Sequence, residues 1–352
     1  MQTNQRRATY SWALYDWANS AFATTVMAAF FPVFFKEYWN SGADIEHSTF
    51  QLGLANSFSS LVVVFLAPLL GAIADQGGTR RKFLFAFAFL GILATGCLYL
   101  VSEGAWILAV FVYALAAVGF SGANTFYDSL LVAVADREQS DFVSALGYSL
   151  GYLGGGLLFA LNVAMVLHPQ TFGLADATQA VRVCFLMVAI WWAVFSIPLW
   201  LWVEESKPTQ PNKGWRAISA GYRQLIETFR EIRRLRVTFV FLISYWLYID
   251  GVDTIVRMAV DYGMSIFFST YNLLLSFLIT PFVVFPSSIL FFHLFLTIFT
   301  RLCLFILLSY LNFPLLHSLL PSLSSSLFFF SPPPLPSPPS LSFSSLLSLF
   351  SS

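Results

Sequence analysis

Four charged side chains stand inside a stretch otherwise apolar enough to cross a bilayer. SYWLYIDGVDTIVRMAVDYG, residues 244–263, carries Asp250, Asp253, Arg257 and Asp261. Charge at membrane depth is costly and points by default to a functional site. Asp253 to Arg257 and Arg257 to Asp261 are both i,i+4 spacings, so on a helix one guanidinium faces two carboxylates. Asp250, three residues before Asp253, is then a spare carboxylate for a proton or an amine. The same spacing equally fits an ion network that only ties helices together. Asp261 falls near the outer interface and is the weakest candidate of the four.

A second polar set lies near the N-terminus. LYDWANSA, residues 14–21, aligns with LYIDGVDTI, residues 247–255, after a one-residue gap. Asp16, Asn19 and Ser20 thus match Asp250, Asp253 and Thr254, and each trio shares one helix face. A chance match between Leu- and Tyr-rich helices competes with a true repeat. Asn124, Tyr127 and Asp128 form a third polar face at i, i+3, i+4, fit for a cavity or for interhelical hydrogen bonds. In GYSLGYLGGG, Gly147, Gly151 and Gly154 to Gly156 read as close helix packing or a hinge. A nucleotide-binding loop would need a preceding strand and a lysine, and both are missing.

Catalysis finds no support. Asp16 with Asp250 would be the only acid dyad, and neither sits in a protease motif. Three cysteines (97, 184, 303) and four scattered histidines (47, 168, 293, 317) make neither a disulfide framework nor a metal-ligand spacing. No metal, cofactor or nucleic-acid partner is expected, and the chain is expected not to be an enzyme.

The elements that must position these residues are membrane spans. Of 352 residues, 58% are hydrophobic and 10% charged, far below the charge a soluble surface needs. Apolar blocks long enough to span lie at 11–37, 52–75, 83–102, 105–134, 143–167 and 181–203, with a seventh at 237–262. The first is expected to be a retained span rather than a cleaved signal, because it is long and contains Asp16. Fourteen of the eighteen Lys and Arg fall at the N-terminus, in the even-numbered loops and in 204–236. The positive-inside rule therefore places the N-terminus in the cytosol. Within the loop, GYRQLIETFREIRRLR is basic and amphipathic, a surface helix with affinity for anionic lipid or calmodulin as the sharper reading.

From 266 to 352 the chain contains no Gly, Ala, Asp, Glu, Lys, Trp, Gln or Met. Phe, Leu, Ser and Pro share pyrimidine-rich codons, so an unspliced intron or frame error from about Ser265 is expected. A divergent set of spans at 273–311 is the alternative. The organisation is then a six-helix bundle (1–203), a cytosolic loop (204–236), a seventh span (237–265) and a non-native apolar tail (266–352). Arg301, His293 and His317 carry no functional weight.

GAIADQGGTRRKFL, residues 71–84, resembles the cytosolic signature of the major facilitator superfamily, with Gly71, Asp75, Gly78, Arg80, Arg81 and Lys82 in the motif positions. Gln76 departs from it, standing where that family often has a basic residue. Gly71 is expected to admit a close helix, and Asp75 to pair with the basic cluster as a latch. With SWALYDWANSAFATT, GYSLGYLGGGLL and YIDGVDTIVRMAVDYG, residues 8–265 resemble the vacuole-effluxer branch of that superfamily, related to autophagy-related protein 22. The resemblance implies an all-α membrane protein of two six-helix bundles that exports amino acids from a vacuole after autophagy. It implies a monomer in the bilayer with a small-molecule cargo and protons as a candidate coupling ion. The substrate and proton candidates, resting on chemistry, are Asp16, Asn19, Asn124, Tyr127, Asp128, Asp250, Asp253 and Arg257, lining spans one, four and seven. A non-transporting fragment or scaffold and a carrier for sugars, drugs or ions remain as alternatives.

Overall fold

An apolar segment inside a bilayer has no water to satisfy its backbone, so it must pair its own N–H and C=O groups as a helix. A computed structural model of the chain describes residues 2–136, 138–205, 215–266, 268–287 and 290. The chain divides into units Met1–His293 and Leu294–Ser352, and all described residues belong to the first. Expectations resting on Arg137, Lys207, Lys213, the Arg216 side chain, His293, Arg301, Cys303 and His317 lie outside them, as does most of the tail.

Eight helices among the described residues are long and apolar enough to cross a membrane. They are α1 (Asn4–Trp39), α2 (Ile45–Gly77), α3 (Arg80–Cys97), α4 (Trp106–Ser129), α5 (Ser140–Leu167), α6 (Ala177–Trp202), α8 (Arg236–Ser265) and α9 (Thr270–Ser287). The amphipathic α7 (Trp215–Arg234) joins α6 to α8. The chain is an all-α, multi-pass integral membrane protein. The first span starts earlier than expected, at Asn4, and passes Arg6 and Arg7, which stay exposed. It widens to π-helical pitch over Phe22–Phe30 and Phe35–Trp39, either side of Pro32. Proline has no N–H to give to the preceding turn, and this break in the ladder is where the wider pitch appears.

Hydrogen bonds at the helix ends show the up-and-down order. On one face, Thr9 Oγ1 donates to Val134 O at 2.7 Å and Arg81 Nη1 to Val203 O at 2.6 Å. On the other, Trp39 Nε1 donates to Val101 O at 3.3 Å, and Arg182 Nη2 to Tyr99 O at 2.8 Å. The first face holds Arg6, Arg7 and Arg80 to Lys82 and is called the basic face below.

Glycine sets the closest approaches. A Cβ on Gly119 of α4 would lie 2.6 Å from the Cα of Gly91 and 2.8 Å from Phe87 O on α3. The glycines of α5 meet α1 in the same way, with a Cβ on Gly154 falling 2.7 Å from Trp17 O and one on Gly155 falling 2.9 Å from Ser20 O. With no aqueous driving force between helices in lipid, such backbone contact is a main source of cohesion. The run at 147–156 is thus packing surface. Aromatic side chains fill the rest of the core, with Phe22 between Phe120 and Trp192.

Backbone cannot step aside as a flexible side chain can. Gly119→Val is expected to destabilise the bundle by about 1–3 kcal/mol or more through overpacking. Thermal unfolding in detergent should show it as a lower midpoint, and an unchanged midpoint would mean that α3 and α4 are not in backbone contact.

Candidate functional site

The polar face of α1 is held against α4 and α5. Asn19 Nδ2 donates to Asn124 Oδ1, joining α1 to α4. Ser20 Oγ donates to the Asp16 carboxylate at 3.1 Å, one turn back on the same helix. Trp12 stacks on Tyr127 with ring centroids 4.3 Å apart, and Tyr15 tilts against the same ring at 5.0 Å. Trp12 Nε1 also donates to Tyr127 O at 3.0 Å.

Two glycines of α5 leave room for this seam. A Cβ on Gly151 would sit 2.6 Å from Ser20 Oγ and 2.9 Å from the Asp16 carboxyl carbon. One turn earlier, a Cβ on Gly147 would sit 3.0 Å from the Tyr127 hydroxyl. The carboxylate of Asp16 and the hydroxyl of Tyr127 therefore abut one glycine stripe, a helical turn apart. Among the described residues the buried Tyr127 hydroxyl and Asn19 Oδ1 have no hydrogen-bond partner, and the buried Tyr15 hydroxyl has only the Trp192 indole near it. Such groups cost free energy until something bonds to them. Asp16, Ser20 and Asn124 keep partial exposure, and Asp128 is exposed. The seam is therefore reachable, and it offers carboxylates, hydroxyls and an amide but no fixed cation among its members. It can take a proton, an ammonium group or a hydrogen-bonding solute.

The structure does not bring α8 into this seam as the expected lining of spans one, four and seven implies. Asp250 and Asp253 are exposed. Arg257 is buried and pairs with Asp253 at 3.0 Å, which is one of the two expected i,i+4 contacts. The other is not made. Asp261 pairs with Lys36 of α1 at 2.8 Å, with side-chain exposures of 1% and 7%. Asp261 is therefore one of the most enclosed charges of the chain rather than a group at the outer interface. Its oxygens accept no well-directed hydrogen bond, so charge alone joins it to Lys36, whose ammonium also donates to Thr49 Oγ1 at 2.9 Å. A lysine in reach satisfies a buried carboxylate better than an arginine already engaged one turn away.

On the basic face the 71–84 motif forms a latch. Arg80 Nε binds Asp75 at 2.7 Å, and Arg80 Nη1 donates to Ser129 O at 3.1 Å at the end of α4. Glu205, just after α6, accepts from the backbone N–H groups of Arg80 at 2.8 Å and Arg81 at 3.2 Å. A carboxylate there answers the unpaired N–H groups and positive dipole end of α3. Gly78 terminates α2 at φ 59°, ψ 50°, a left-handed position that favours glycine. Lys82 points out exposed. Gly71 is a correction: no atom of the described residues outside its own helix lies within 4 Å of where its Cβ would be, so it admits no close helix among them. The close approach comes one residue on, where Gly221 of α7 lies against the Ala72–Ile73 backbone, a Cβ there falling 2.9 Å from Ala72 C.

Sequence reasoning missed Lys36 and Glu205. A single lysine in the aromatic run FPVFFKEYW was signal enough for a buried partner, but nothing local named Asp261, 225 residues away.

Comparison with known proteins identifies the family of the chain. The family model described as "Vacuole effluxer Atg22 like" matches residues 40–137 and 132–315, running past Ser265 into the Phe- and Leu-rich segment. The uncharacterized MFS-type transporter YxiO of Bacillus subtilis is 36% identical over 283 residues, covering 80% of this chain and 66% of its own length. Autophagy-related protein 22 of Yarrowia lipolytica is 23% identical over 301 residues, covering 64% of this chain and 50% of its own. The chain thus spans from half to about two thirds of the length of these relatives.

The Lys36–Asp261 pair yields a double-mutant test. Removing either partner strands a buried charge, and Lys36→Met or Asp261→Leu alone is expected to cost about 3–5 kcal/mol. Together the two changes should recover most of the loss, because neither charge is then left unpaired. Additive losses in thermal or denaturant unfolding would show that the two side chains do not meet.

Proposed function

The chain belongs to the Atg22-like vacuole effluxer family, and we propose that it is a secondary carrier moving a small molecule across a membrane by alternating access. The observation that carries this reading is the seam itself. Asp16, Ser20, Asn19 and Asn124 lie inside a helical bundle beside the buried Tyr127 hydroxyl, and this hydroxyl and Asn19 Oδ1 have no hydrogen-bond partner among the described residues. A purely structural interface would have paired them.

The cargo is an amino acid, and protons are the coupling ion. A zwitterion brings an ammonium group for Asp16 or Asp128 and a carboxylate for hydroxyl and amide donors, with Tyr127 and Asn124 facing it. Asp250, Asp253 and Arg257 of α8 form the opposing wall in another conformation, since Asp250 and Asp253 are open to approach. The Asp75–Arg80–Glu205 network closes the basic face, and Lys36–Asp261 closes the opposite one. Breaking one set while the other holds would switch the exposed side. The basic face is cytosolic, the membrane is that of a vacuole-like compartment, and the carrier is a monomer. The match to a family described as vacuole effluxers supports the compartment, and the charge distribution supports the orientation.

Counterflow of radiolabelled amino acids into proteoliposomes holding the full chain tests the proposal. Wild type should accumulate label. Asp16→Asn and Asn124→Ala should lower the rate at least about tenfold, the loss of one strong polar contact in the transport cycle. Wild-type flux with both variants unaffected would remove the seam from the pathway, and absence of any flux across amino acids, sugars and inorganic ions would remove the carrier reading.

A further inference from the structure

The amphipathic α7 is built in two halves that serve different partners. One edge of its apolar arc faces the protein: Gly221 lies against Ala72 and Ile73, with Leu225 and Ile232 on the same side and partly covered. Among the described residues, nothing covers the rest of the arc. Ile218, Tyr222, Ile226 and Phe229 follow one another at i, i+4, i+8 and i+11, and all are exposed, Tyr222 by 57% and Phe229 by 62%. Four large apolar side chains in a continuous row are more than a water-facing helix leaves open.

Position and charge say what covers them. Ala72 and Ile73 are in the final turns of α2, a helix that spans the bilayer, so a helix touching their backbone lies at headgroup level. Flanking the exposed row, roughly a quarter-turn round the helix, stand Arg223 and Arg230, with Arg233 and Arg234 in the last turn, all exposed. Against these four arginines the described part of the helix sets Glu227 and Glu231. A row of aromatic and branched side chains beside an excess of arginine is the surface that lies in a membrane interface. The apolar row reaches the acyl boundary and the guanidinium groups snorkel to phosphate.

We propose that α7 is a lipid-binding device: its free apolar row enters the leaflet on the basic face, and Arg223, Arg230, Arg233 and Arg234 bind anionic headgroups. The inference rests on the chain spanning a membrane and not on what it transports. Because α7 runs directly into α8 through Leu235, and touches α2 beside the Asp75–Arg80 latch, the lipid it binds would set how the two flanking spans meet. An anionic leaflet would then be a condition for the protein's conformation rather than a passive solvent.

Spin labels on the full chain test this. The native cysteines are replaced, and a nitroxide is placed at Ile226 or Phe229, or at Glu231 as a control. The protein is reconstituted in vesicles of phosphatidylcholine alone or of phosphatidylcholine with a third phosphatidylglycerol. With phosphatidylglycerol, labels at 226 and 229 should shift towards collision with oxygen and away from a water-soluble nickel complex, while 231 stays open to nickel. Arg223→Glu with Arg230→Glu should abolish that shift, and high salt should weaken it. Labels at 226 and 229 that collide freely with nickel in both vesicles would put the row in water and overturn the proposal. Labels shielded from both reagents would show that protein covers the row, which overturns it equally. Insertion to the same depth with and without phosphatidylglycerol would overturn the headgroup assignment.

Discussion

The backbone contact between α5 and α1 is the constraint on which the rest of the bundle depends. Gly147, Gly151, Gly154 and Gly155 remove every side chain along one stripe, and α1 fills the space with its own backbone and with Asp16 and Ser20, joined by Tyr127 of α4. Any larger residue would push α1 outward, and the distance from Asn19 to Asn124 would open with it. Polar groups inside a membrane bundle are tolerable only when helices are close enough to share hydrogen bonds or leave a space for a polar solute. Here both occur: Asn19 and Asn124 bond to each other, while the neighbouring Tyr127 hydroxyl has no partner among the described residues.

The second constraint is electrostatic. The opposite face of the protein has few basic residues, and one of them, Lys36, is committed to Asp261. Two desolvated charges stay together because separation would leave each uncompensated. The pair joins α1, which anchors the first bundle, to the end of α8, which otherwise shows most of its length to the surroundings. Without it, the described residues offer α8 few polar ties: Arg257 binds only along its own helix, and Asn56 Nδ2 meets Met258 Sδ at 3.7 Å.

Much of the fold was legible in the sequence because bilayer physics acts through composition. Long apolar runs must be helices, and loop arginines mark one face, so six spans, the seventh and the amphipathic helix emerged in order, although the first two helices begin at Asn4 and Ile45, well before the expected starts. The glycine run was legible as packing surface for the same reason. The site was readable only in part. Residues one turn apart on a single helix, such as Asp16 with Ser20 and Asp253 with Arg257, can be found from spacing. Pairs between helices cannot: Arg257 with Asp261 looked as good as Arg257 with Asp253, and only three-dimensional placement hands Asp261 to Lys36. Gly71 misled because a glycine in a motif implies a close neighbour, whereas the neighbour touches the next residue, through a glycine of its own at 221.

Whether the α1 seam is open to solute has a direct chemical answer. Ser20 replaced by cysteine, in a chain lacking its native cysteines, should be modified by a small cationic methanethiosulfonate in membrane vesicles, and a saturating transported amino acid should slow the reaction. A cysteine that stays inert while an exposed control at Ser102 reacts would mean that the seam is sealed packing and that the pathway lies elsewhere.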